Sequence, residues 1–172
     1  NFYLCQIYVA TGSLQEVDVH RGTFTGCVFT WNTPVIAATV PSTAQALDKC
    51  YLTCDKANGN LYVSYTRFGG PTAIEVVRGT TLGTAWAAPV VLDNTSSGIQ
   101  GSRPIVGPEG NLYVCWQSGW GFINCDLSSV TGTIALRRCT APTNPVMAFD
   151  PTVTVGTVEM NWTSYWAGNL RS

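Results

Sequence analysis

Charge is scarce in this chain: of 172 residues, nine are Lys or Arg and ten are Asp or Glu, for a formal net charge of -1. The cations are scattered with no basic run, which argues against a nucleic-acid surface. Histidine occurs once, as His20, on a segment where a structural or exposed placement is expected. No Ser-His-Asp grouping, phosphate-cradling glycine loop or zincin helix has its required spacing. No stretch approaches the roughly 18 apolar residues of a membrane-spanning helix, so membrane insertion is not expected. Nor does any window carry a helical apolar period with capping signals. Neither an initiator Met nor a secretory leader opens the sequence; Asn1-Phe2-Tyr3-Leu4 reads as an interior or mature-chain start.

What the chain does have is repetition. Gly59-Asn60-Leu61-Tyr62-Val63-Ser64-Tyr65 returns 51 residues later as Gly110-Asn111-Leu112-Tyr113-Val114-Cys115-Trp116. Looser copies are read at Gly156-Thr157-Val158-Glu159-Met160-Asn161-Trp162 and at Gln6-Ile7-Tyr8-Val9. A second pattern, Arg21-Gly22-Thr23 leading to Trp31, matches Arg78-Gly79-Thr80 leading to Trp86. A period near 50 residues is that of a propeller blade or a linear array.

Around each glycine turn, alternating or aromatic-rich segments read as about four short antiparallel strands per unit. The expected fold is all-β: a partial β-propeller of about three and a third blades, with units at 1–47, 48–99, 100–144 and 145–172. Propellers close with about four to eight blades, so the chain is expected to need further blades or another subunit to complete a ring. The periodic aromatics, Tyr62, Tyr113, Tyr65, Trp116 and Trp162, are expected to pack sheet on sheet. The non-periodic Trp120, Tyr165 and Trp166 are the better candidates for stacking on a ligand.

Seven cysteines, at positions 5, 27, 50, 54, 115, 125 and 139, do not recur with the units. Cys50 and Cys54 lack a second close pair for a zinc site, so disulfide or buried-thiol roles are expected. The acceptor sequence Asn94-Thr95-Ser96 lies in a polar turn, and with the cysteines it points to an extracellular setting. No metal or cofactor is implied.

The segment Asp48-Lys49-Cys50-Tyr51-Leu52-Thr53-Cys54-Asp55, followed by Gly59-Asn60-Leu61-Tyr62-Val63, resembles the blade opening of the sialidase-type β-propellers that carry bacterial neuraminidase repeats. Gly79-Thr80-Thr81-Leu82-Gly83-Thr84-Ala85-Trp86 is similar to their Asp-box, keeping its glycine and tryptophan but not its serine, aspartate and threonine. The resemblance implies a six-bladed ring of about twice this length, with the box as a structural turn. Enzymes of the family hold a sialic acid carboxylate with three arginines and use a Tyr/Glu nucleophile pair and an aspartic acid.

Within that frame Arg21 and Arg78, being repeat-equivalent, are expected to be structural. Arg137 and Arg138 are strand neighbours whose side chains must diverge. Arg103 is the candidate for the central face and Arg67 for its rim, because guanidinium groups pair with planar anions. Asp48 and Asp55 flank the blade-opening strand and are candidates for ligand contact. The leading functional reading is a noncatalytic extracellular module that binds a glycan or a protein, or contributes to an assembly. The alternative is part of an exo-acting sialidase or related glycoside hydrolase whose other blades lie outside this chain.

Overall fold

Short runs of β-branched and aromatic residues between glycine turns fold as strands in the computed structural model, which describes residues 1–9, 14–96, 98–119 and 130–160. The described strands are β1 (Phe2–Val9), β2 (Leu14–Thr25), β3 (Val28–Trp31), β4 (Val35–Pro41), β5 (Ala46–Cys54), β6 (Leu61–Phe68), β7 (Ala73–Thr80), β8 (Ala85–Trp86), β9 (Val90–Asp93), β10 (Gln100–Val106), β11 (Leu112–Ser118), β12 (Val130–Cys139) and β13 (Val153–Met160). They form three antiparallel sheets. In sheet 1, β1 pairs with β2, which pairs with β3 along one half and β4 along the other. Sheet 2 runs β5-β6-β7, with β7 pairing both β8 and β9, and sheet 3 runs β10-β11-β12-β13. The chain is thus all-β, with sheets of four, five and four strands in a partial propeller-like arrangement. No helix among the described residues is long and apolar enough to cross a membrane.

Register gives the true repeat. Gly22 pairs with Trp31 and Gly79 with Trp86, while Asn32 donates to the Arg21 carbonyl at 2.8 Å and Ala87 to the Arg78 carbonyl at 2.9 Å. The two Arg-Gly-Thr copies are therefore the same station. Opposite these glycines stand Phe2 in sheet 1 and Leu61 in sheet 2. The sheet 1 counterpart of Leu61-Tyr62-Val63 is consequently Phe2-Tyr3-Leu4, not Ile7-Tyr8-Val9 as the sequence spacing suggested. The described part of the Gly156 segment, Gly156 to Met160, also takes a different station: it lies in β13, the fourth strand of sheet 3, whereas β6 and β11 are second strands.

Period-2 alternation sends each second strand's two faces to different neighbours. Leu61, Val63 and Tyr65 join Val17, Val19 and Ala38 in the seam between sheets 1 and 2. One repeat on, Leu112, Val114 and Trp116 join Tyr62, Ile74 and Val76 between sheets 2 and 3. Tyr65 and Trp116 are each 1% exposed, and burying such a ring stabilises the fold by about 2–3 kcal/mol. The described periodic aromatics do pack sheet on sheet, with one instructive exception. Tyr62 is covered by sheet 3, but its counterpart Tyr113 lies on the far face of sheet 3 and is half-buried, its hydroxyl donating to Glu109 Oε1 at 2.7 Å.

Arginines fasten the second and third sheets. Arg78, 7% exposed, donates through Nη1 to the carbonyls of Pro142, at 2.9 Å, and Asn144. Arg137 donates to the Leu92 carbonyl at 2.8 Å and to those of Phe149 and Asp150. Arg138 points the other way to Asp150 Oδ2 at 2.7 Å. These contacts give Arg78 the structural role expected of it and send the side chains of Arg137 and Arg138 apart, as their adjacency on a strand requires.

Candidate functional site

The first strands of sheets 2 and 3 carry the same irregularity. A bulge interrupts β5 between Asp48 and Tyr51, and another interrupts β10 between Gln100 and Arg103. Each holds one residue in the left-handed region, Lys49 at φ 50° and Gly101 at φ 68°. The bulges set Asp48 equivalent to Gln100, Cys50 to Ser102 and Tyr51 to Arg103.

Equivalent residues then meet across the seam. Gln100 Nε2 donates to Asp48 Oδ2 at 2.7 Å, and the Arg103 guanidinium carbon lies 3.4 Å from the centre of the Tyr51 ring. Lys49 Nζ also reaches Asp48 Oδ2 at 2.9 Å. Among the described residues no carboxylate pairs with Arg103, so its positive charge is offset only by the ring face, a contact worth about 0.5–1 kcal/mol at an exposed site. Behind this rim Ser64, Thr66 and Ser102 are fully buried, and none of their hydroxyls has a hydrogen-bond partner. Ser64 pairs in register with Tyr51 and Thr66 with Asp48. Leaving a hydroxyl buried and unpaired costs about 1–3 kcal/mol, a cost this seam carries at three positions.

The sequence candidates separate accordingly. Asp48 and Arg103 come together in this seam. Arg67 instead faces sheet 1, with Nε donating to Glu75 Oε1 at 2.7 Å in a largely buried pair. Burial, and next the Glu75 charge, push the neighbouring Tyr65 phenol well above its ordinary range. Asp55, 5% exposed, organises the turn after β5: Oδ1 accepts from the Ala57 amide at 2.9 Å and Oδ2 from Asn58 Nδ2 at 2.6 Å. Trp120, Trp162, Tyr165 and Trp166 lie outside the described residues. Tyr51, Gln100 and the three hydroxyls were missed because the turn at 55–60 is one residue longer than that at 107–111. At a fixed offset of 51, Tyr51 falls on Ser102 and Asp48 on Ile99, which hides the equivalence.

The Asp-box-like turn lies away from this seam. Leu82, at φ 59°, and Gly83, at φ 83°, form a tight turn after β7. Trp86 Nε1 closes it on the Gly83 carbonyl at 3.0 Å, and the indole lies over Gly79, where an added Cβ would sit 2.9 Å from the ring. His20 packs edge-on to Trp31, with ring centres 6.1 Å apart. Among the described residues no three His, Cys, Asp or Glu are placed to hold a metal ion, and the six described cysteines are free thiols. Compared with protein-family models and with curated proteins, the chain matches none.

Proposed function

We propose that this chain is a noncatalytic extracellular binding module of the sialidase-type propeller kind, which takes an acidic glycan at the inner seam between sheets 2 and 3. The observation that carries the reading is the exposed Arg103 guanidinium on the Tyr51 face, with no carboxylate partner among the described residues and beside Asp48 and Gln100. A guanidinium fits a carboxylate, and the amide of Gln100 and the carboxylate of Asp48 match the hydroxyls of a sugar. The Trp86-closed turn supports the family reading, and the exposed Asn94 of the acceptor sequence supports the extracellular one. The missing blades, or a second subunit, complete the ring.

The test is binding of sialylated and neutral oligosaccharides by calorimetry, to the wild type and to Arg103→Ala. Loss of one charge-assisted contact of about 1.5–3 kcal/mol is expected to weaken the sialylated ligand by roughly ten-fold or more, with the circular dichroism spectrum unchanged. Equal affinity of the two proteins would dismiss the seam. Release of free sialic acid, abolished by the same substitution, would favour the hydrolase instead.

A further inference from the structure

The seam between sheets 1 and 2 holds, at the stations of Ser64 and Ser102, two cysteines. Register places Cys5 opposite Val19 and Ser64 opposite Val76, each three residues along its own strand from Phe2 or Leu61. Cys50 occupies the β5 bulge just as Ser102 occupies the β10 bulge. The left-handed Lys49 immediately before it re-aims the strand. Cys5 and Cys50 are both half-buried and pack on one apolar cluster, where β1 lies against β5 across the seam. We infer that Cys5 and Cys50 form a cross-sheet disulfide site, whose oxidation joins β1 of the first sheet to β5 of the second.

The side-chain interaction with Cys50 holds the Cys5 thiol below its ordinary range, while the same interaction, and next burial, raise Cys50. Cys5 is therefore the attacking group. With a small disulfide such as oxidised glutathione as oxidant, the Cys5 thiolate attacks one of its sulfurs, forming a mixed disulfide and expelling one glutathione thiolate. Cys50 then gives its proton to solvent and attacks the Cys5 sulfur, expelling the second. Two protein thiols lose two electrons and two protons in all, and one glutathione disulfide becomes two glutathiones. Cys54 packs on the same cluster but sits four residues further along β5, opposite Leu61, and Cys27 is exposed in the β2–β3 turn.

The chain is treated with oxidised glutathione, its free thiols are alkylated, and non-reduced tryptic peptides are read by mass spectrometry. Peptide 1–21 joined to peptide 50–56 is expected, present in Cys54→Ser and absent in Cys50→Ser. Oxidation should also raise the thermal midpoint of the wild type but not of Cys50→Ser. The inference is overturned if Cys5 links to Cys54 or Cys27, carries glutathione without closing, or remains alkylatable while Cys27 is glutathionylated.

Discussion

At the residue scale, the pairing of Arg67 with Glu75 decides more than its position on β6 suggests. Glu75 is 6% exposed, and its carboxylate is neutralised by Arg67 Nε at 2.7 Å. Removing the guanidinium leaves a buried charge unpaired, which costs about 3–5 kcal/mol. Arg67→Met should therefore lower stability by about 3 kcal/mol in urea unfolding while leaving glycan affinity unchanged, because the pair faces sheet 1 and not the Arg103 seam. A fall in affinity without a fall in stability would return Arg67 to the rim of the binding site. The sequence allowed either fate, since a rim cation and a buried ion-pair partner read alike until cross-strand register brings Glu75 alongside.

At the scale of the element, the bulged first strand is the unit that makes the seams. Sheet 3 places Gly101 at the left-handed bulge position, where glycine is unstrained, and sheet 2 places Lys49 there. Lys49→Gly is expected to stabilise the chain by about 0.5–1 kcal/mol, read as a higher urea midpoint at unchanged m-value. A lower midpoint would mean that the Lys49–Asp48 contact outweighs the backbone cost.

The strands themselves were legible from alternation and glycine turns, as was the shared station of Gly22 and Gly79. Legibility failed where a bulge or a turn of different length moved the frame. The Tyr51–Arg103 contact and the Phe2-Tyr3-Leu4 copy follow from pairing register, which a fixed offset in sequence does not encode.

At the scale of the whole molecule, the described sheets end in two unlike exposed faces. Phe2 and Leu4 on sheet 1 are 55% and 49% exposed, whereas their counterparts Leu61 and Val63 are fully buried against the preceding sheet. The aromatic group of Phe2, Phe24, Phe29 and Trp31 lies on this same face. At the other end, Ile105 and Val153 of sheet 3 are likewise exposed. One face is the leading half of a seam and the other the trailing half, so copies are expected to join head to tail. Sedimentation should show a mass that rises with concentration for the wild type and stays monomeric for Leu4→Glu. A wild type that remains monomeric at high concentration would show that these faces do not seek each other.

The equivalence of stations also bears on how such a chain can change length. Each sheet carries both halves of the joint it needs, so an in-frame duplication of one unit inserts a sheet whose two interfaces already match its new neighbours. Growth by internal copying thus demands no coordinated substitutions elsewhere. The seams that now differ, thiols in one and hydroxyls in the other, mark how far two such copies can diverge while still stacking.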